Sequence, residues 1–222
     1  MEILLFIFPL LSFLLFQFFY QKIKSEILYS INIFLFGLFF LLSLYIFIKI
    51  LNLDNDLPLI FYTLIKLENL FIDWKLRFDL LVSGLIVLVT FIGLLITVYS
   101  INLSKKNVVN FQINSNLSLS IFGLLVLISS NNLIQFFLGW YIIVLSSYLI
   151  SNISEKKFDN RNIFFENRIS DLCFFLSLYF IYTFSNSINF DVIFKSFEII
   201  ESKITILNKT FSSFHIVFFI LF

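Results

Sequence analysis

An all-α membrane protein is the fold class that three features of this sequence predict. Between Lys106 and Glu155 lie 48 consecutive residues without one Asp, Glu, Lys, Arg or His. A single helix of that length would reach about 70 Å, against a hydrocarbon layer of about 30 Å, so the run must fold back on itself. Ser129-Ser130-Asn131-Asn132 is the polar cluster near its middle, which predicts a hairpin of two membrane-spanning helices. The second feature is composition: the 222 residues are 60% hydrophobic and 13% charged, too little charge to cover a soluble domain. The third is the opening segment, MEILLFIFPLLSFLLFQFFY. It lacks a basic n-region, a small-residue cleavage site and an Arg-rich amphipathic presequence, so it reads as a first span.

Charge-free windows then place each element of one transmembrane domain over residues 1–222. Residues 3–21 and 27–48 are two spans around a loop holding Lys22, Lys24 and Glu26. Lys49–Asp79 is too charged to span and contains Pro58, so it predicts an external loop with short strands. Leu80–Ser104 is a third span, followed by Lys105-Lys106. The charge-free run supplies a fourth at Leu117–Ser130 and a fifth at Leu133–Ile150. Glu155–Arg168 reads as a hydrated loop, and Asp171–Phe184 as most of a sixth span.

Two elements remain. Over Phe190–Leu207, residues Val192, Ile193, Phe197, Ile200, Ile204 and Leu207 recur at roughly helical spacing, with Asp191, Lys195, Glu198, Glu201 and Lys203 largely between them. That pattern predicts an amphipathic helix on the membrane surface, with a loop packed against the bundle as the alternative. Thr210–Phe222 is apolar to its last residue, but 13 residues reach only about 20 Å. It reads as a partial seventh span, to be completed by a second polypeptide or by residues absent from this one. The loops after spans one, three and five hold a dense basic set, which by the positive-inside rule faces the inner compartment.

Composition also excludes functions. The net charge of +1 offers nothing to nucleic acid or an acidic substrate. The single Cys173 rules out an internal disulfide and a Cys-based metal cage. No Gly-rich phosphate loop, catalytic triad or metal-ligand spacing is present, so neither a catalytic nor a metal site is expected. Alanine is absent while Phe, Ile, Leu, Asn and Lys abound, the signature of a very AT-rich genome. A chain this apolar fits synthesis inside an organelle, where import is not required. Small residues usually line helix contacts in membranes, a role left here largely to serines such as the Ser146-Ser147 pair.

Few polar groups are left to carry chemistry. His215 stands alone in the apolar tail and reads as an interfacial histidine, with a proton-relay role as the alternative. Two stretches are more specific. One is Phe136-Phe137-Leu138-Gly139-Trp140-Tyr141, continuing through Ser146-Ser147-Tyr148-Leu149-Ile150. The other is Asn167-Arg168-Ile169-Ser170-Asp171 at the mouth of span six, where Arg168 and Asp171 share a helical face. Such a pair lets a carboxylate sit at the edge of hydrocarbon at modest cost. An interfacial anchor and a functional pair are both open at this point.

These stretches resemble the fifth NADH dehydrogenase subunit of mitochondrial respiratory complex I, an antiporter-like membrane subunit. Its members typically carry Gly-Trp-Glu-Gly-Val-Gly…Ser-Tyr-Leu-Leu-Ile in the fifth helix and Asn-Arg-x-Gly-Asp before the sixth. Here Gly139, Trp140, Ser147, Tyr148, Leu149 and Ile150 match the first, and Asn167, Arg168 and Asp171 the second, with Ser170 in place of Gly. Asp79-Leu80-Leu81 after Phe78 is similar to the family's Phe-x-Asp-x-Leu-Ser region. The agreement in order and spacing covers most of Ile72–Ser185.

The resemblance implies a membrane-arm subunit of NADH:ubiquinone reductase in the mitochondrial inner membrane. It implies that FMN, iron–sulfur clusters and ubiquinone belong to partner subunits, with no cofactor in this chain. The expected partners are other complex I subunits, membrane lipid, and a companion chain completing the seventh helix and the rest of the antiporter-like domain. It casts Asp171 with Arg168 as a conductive or gating pair. One departure stands out: Tyr141 occupies the place of the fifth-helix glutamate, which in the family pairs with a seventh-helix lysine. A phenol can hydrogen-bond or orient water but supplies no resident negative charge. Two other readings stay open, a structural scaffold of a respiratory complex and an independent cation/proton antiporter.

Overall fold

The structure, a computed structural model, describes residues 2–19, 25–52, 57–67, 70–103, 108–153, 160–199, 203–206 and 209–212. In chain order these form α1 (Glu2–Phe19), α2 (Ser25–Leu51), β1 (Leu57–Leu67), β2 (Leu70–Phe78), α3 (Leu80–Leu103), α4 (Val108–Ile128), α5 (Leu133–Ile153), α6 (Asn160–Ser185), α7 (Phe190–Ile199), β3 (Lys203–Ile206) and β4 (Lys209–Ser212). The contacts divide the chain into two compact units. One is residues 1–59, 76–130 and 135–158; the other is residues 60–75, 131–134 and 159–222.

The first unit is built on helices that are apolar all round. Helix α1 packs on α2 and α4, and α3 packs on α2 and α4, which closes a four-helix ring. Its core holds Leu5, Phe36, Phe39, Ile46, Val82, Ile86, Ile121 and Leu125, all buried. The outward faces are just as apolar, with Phe34, Leu41, Tyr45 and Ile48 exposed on α2 and Leu81, Leu88, Leu95 and Tyr99 on α3. Two stripes of this size facing water would be an aggregation surface, whereas lipid chains cover them without cost. The protein is an all-α membrane protein, its described strands confined to two small pairs.

Local signals set the joints. Asp79 caps α3: its carboxylate accepts from the Val82 amide at 2.7 Å and its carbonyl from the Ser83 amide at 2.9 Å. Arg77 pairs with the same carboxylate at 3.2 Å. The Phe-x-Asp-x-Leu resemblance therefore marks a helix cap here. Strands β1 and β2 pair in a two-stranded sheet and run longer than the short strands expected. The turn at Ser129–Asn132 connects α4 to α5, and the Ser129 carbonyl accepts from the Arg77 amide at 3.0 Å. Pro9 sits inside α1 without ending it.

In the second unit, Ile193 of α7 is buried with Ile181 of α6 and Leu133. The Leu133 amide donates to the Ile188 carbonyl at 3.2 Å, and the Phe190 amide to the Asn131 carbonyl at 3.3 Å. Asn186, at φ 50°, turns the chain out of α6, a left-handed conformation that Asn tolerates.

Several expectations need correction. Among the described residues, four helices are long and apolar enough to cross a membrane: Glu26–Leu51, Leu80–Ser100, Asn110–Ile128 and Leu133–Ile153. Of the six spans expected, α1 offers a shorter apolar stretch, Ile3–Phe19, and α6 carries Arg161, Glu166, Arg168 and Asp171 in its first half. The fourth helix begins at Val108, not Leu117, because its polar first half finds partners inside the bundle. The sixth begins at Asn160, so much of the hydrated loop is helical. The amphipathic helix over 190–207 stops at Ile199. Lys203–Ile206 instead pairs antiparallel with Lys209–Ser212, Ile204 opposite Phe211 and Thr205 opposite Thr210. Three consecutive β-branched residues, Ile204-Thr205-Ile206, favour a strand over a helix. The start of the partial span 210–222 is therefore strand, and residues 213–222, His215 among them, lie outside the described residues.

Candidate functional site

Helix α6 positions the charged pair. Arg168 Nη2 lies 3.1 Å from Asp171 Oδ2, three residues apart on one face. Asp171 is 8% exposed, while the Arg168 side chain is 40% exposed. The arrangement is a sunken carboxylate whose counter-ion is part exposed, with the guanidinium Nε buried. One expectation changes. Asp171 lies near the middle of α6, about 17 Å from its start and 21 Å from its end, and not at its mouth. Asn167 precedes it in the same helix.

On α5 the motif residues divide by role. Gly139 is buried at the crossing with α4: a Cβ there would lie 2.5 Å from the Leu127 amide nitrogen and 2.8 Å from its Cα. Gly123 faces the same crossing, where a Cβ would come within 3.1 Å of the Gly139 carbonyl oxygen. Two glycines thus let two backbones touch, the close approach that small residues permit between membrane helices. Trp140 points outward, 47% exposed. Ser146 is buried and Ser147 exposed, and each hydroxyl donates to its own helix's carbonyl three residues back at 2.8 Å. Tyr141 is half-buried, its ring 6.2 Å from that of Phe137. Tyr148 is half-buried as well. Tyr141 belongs to the first unit and Asp171 to the second.

A third group of residues escaped the sequence reading. Inside the first unit, Ser12 Oγ of α1 donates to Asn32 Oδ1 of α2 at 2.6 Å and shares a 2.7 Å bond with Ser118 Oγ of α4. Asn114 Nδ2 donates to Tyr29 Oη at 3.0 Å, and Ser115 Oγ reaches the Phe13 carbonyl at 3.1 Å. Tyr29 is wedged between Phe16 and Phe111, at ring distances of 5.4 and 5.5 Å. A second polar link, Ser43 Oγ to Thr90 Oγ1 at 2.8 Å, joins α2 to α3. The signal was the polar density of Asn110–Asn116, which lies outside the expected fourth span and which the fold satisfies within a helix.

This seam yields a stability prediction. Asn32→Leu removes the acceptor that holds Ser12 and is expected to cost about 1–3 kcal/mol, the penalty for orphaning a buried polar partner. Ser147→Ala, at an exposed hydroxyl bonded only within its own helix, should be neutral. Thermal aggregation midpoints in detergent distinguish them, and equal midpoints would refute the role given to the seam.

Comparison with known proteins follows the same lines. A family model described as NADH-ubiquinone oxidoreductase (complex I), chain 5 N-terminus, matches residues 64–102. One described as NADH:quinone oxidoreductase/Mrp antiporter, TM, matches residues 130–222. NADH-ubiquinone oxidoreductase chain 5 of Acanthamoeba castellanii is 34% identical over 60% of this chain and 20% of that protein. NADH-quinone oxidoreductase subunit L of Rickettsia typhi is 28% identical over 91% of this chain and 32% of that protein. The chain thus spans about a fifth to a third of the length of these relatives. A subunit in the structure of the membrane-bound sulfane sulfur reductase, an archaeal respiratory membrane complex, shares the fold at TM-score 0.70 and 16% identity, over 86% of this chain and 38% of that one. The chain resembles the N-terminal part of complex I chain 5, as its motifs indicated.

Proposed function

Because this chain matches the chain 5 N-terminus and the antiporter-type transmembrane family in order along its length, we propose that it supplies the N-terminal part of an antiporter-like module in the membrane arm of a respiratory NADH dehydrogenase. That order is the observation that supports the reading most. The complex sits in the mitochondrial inner membrane, and this subunit is made within the organelle. FMN, iron–sulfur clusters and ubiquinone are handled by other subunits. This chain's share of NADH:ubiquinone reductase activity is proton movement coupled to that chemistry.

In this reading Asp171 and Arg168 form a gating pair. Their 3.1 Å contact can open when a proton neutralises the carboxylate, which frees the guanidinium to turn toward water. Helix α5 contributes no carboxylate, and Tyr141 holds the place of the family's glutamate as a neutral hydrogen-bonding group. Proton transfer through the usual first half-channel is therefore impaired or rerouted. A purely structural reading is favoured by one observation: an ion pair with a 40% exposed cation also serves as a helix anchor.

Gentle solubilisation followed by mass spectrometry of co-migrating proteins tests the assignment. NADH dehydrogenase subunits should co-migrate. Migration of this chain with no NADH dehydrogenase subunit beside it would overturn it.

A further inference from the structure

At one end of the first unit lies a cavity, and of the motif residues Leu149 alone lines it. Its volume is about 370 Å³, and it is lined by Phe13 and Gln17 of α1, Gln112 and Asn116 of α4, and Leu149 and Asn152 of α5, with Ile153 beside them. Gln17, Gln112 and Asn152 are exposed at the mouth. Asn116 forms the floor. It is 6% exposed, and among the described residues nothing hydrogen-bonds its amide. Its side chain lines the cavity, so its amide is available to hydrogen-bond whatever enters.

Three properties define what fits. The polar lining consists of carboxamides, each presenting two N–H donors and no net charge, which suits acceptor-only oxygens. Phe13, Leu149 and Ile153 add an apolar wall, which suits the first methylenes of an acyl chain. Gln17 and Asn152 lie within two residues of the described ends of α1 and α5, and Asn116 about 12 Å along α4 from Val108, so the cavity runs inward from the helix ends. In sequence, the segments between these helices hold Lys22, Lys24, Lys105, Lys106, Lys156 and Lys157 against Glu155 and Asp159, a basic balance that favours anionic lipid. We propose that this cavity binds the phosphodiester and ester oxygens of an anionic glycerophospholipid, with the Asn116 amide as the innermost donor.

Photolabelling tests this in membranes that hold the intact assembly, and the readout is on this chain alone, so it succeeds or fails independently of the respiratory assignment. The probe is phosphatidylglycerol with a diazirine near the top of one acyl chain. Labelled peptides should concentrate on Phe13–Phe19, Gln112–Asn116 and Leu149–Ile153. Excess unlabelled phosphatidylglycerol should compete, and phosphatidylcholine much less. Asn116→Leu should lower label at these peptides about five-fold, the value of one net hydrogen bond. Since that change also alters α4 packing, Gln112→Leu at the exposed mouth is the companion variant, with an expected loss in the same direction. Competition by inorganic phosphate would reassign the site to a soluble anion and overturn the lipid proposal. Uniform labelling along α2 and α3, or labelling unchanged in both variants, would overturn it as well.

Discussion

Gly139→Ala is expected to break the α4–α5 hairpin and to abolish most assembly of this chain into its complex. The added methyl would lie 2.5 Å from the Leu127 amide nitrogen and 2.8 Å from Leu127 Cα and Cβ. Two of those three atoms are helix backbone and cannot swing aside, so relief requires parting the helices or bending α4. Overpacking of this kind typically costs about 1–3 kcal/mol, and backbone contacts lie at the upper end. Against it stands the helix-propensity gain of Ala over Gly, about 1 kcal/mol or less. The steric term wins. The control is Gly37→Ala on α2, where nothing lies within 4 Å of the new methyl, so only the propensity gain remains. Recovery of the assembled chain by native electrophoresis should collapse for the first substitution and hold for the second. Equal recovery would mean that the two helices do not touch at Leu127.

The second large effect concerns function. In a reconstituted complex, Asp171→Asn should lower the ratio of protons moved to electrons transferred, while Tyr141→Glu should raise it. Asp171→Asn keeps the side chain's shape and removes the negative charge that faces Arg168 at 3.1 Å. Because the Asp171 carboxylate is buried, recovery of folded chain is compared between variant and parent before the ratio is read. Tyr141 is half-buried beside Phe137, so a carboxylate placed there gains a site with limited water, where one charge strongly biases its neighbours. An unchanged ratio in both variants would leave the chain as scaffold.

The separate fates of the motif residues show how far a pattern can be read. Gly139 and Asp79 were matched as family marks, and the structure gives each a local physical task, close backbone contact and a helix cap. Asp171 was placed at a helix mouth because apolar residues begin at Leu172. Helix α6 runs back to Asn160 through Arg161, Glu166 and Arg168, which puts the carboxylate near mid-helix. Likewise Asn114, Ser115 and Asn116 were left outside the fourth span because the apolar run starts at Leu117. The seam of Ser12, Asn32, Tyr29 and Ser118 was invisible, since its members are scattered over more than 100 residues.

Transfer from water into lipid is nearly a sum over single residues, so the sequence by itself determined that this protein lives in a membrane. It also placed the turn between α4 and α5 and identified the few residues able to carry charge. Hydrogen bonding and backbone contact are properties of pairs, and the partners are distant along the chain. Only the tertiary structure therefore decided that polar α4 belongs inside the bundle, that Gly139 is a contact, and that Asn116 ends a cavity with its amide unmet.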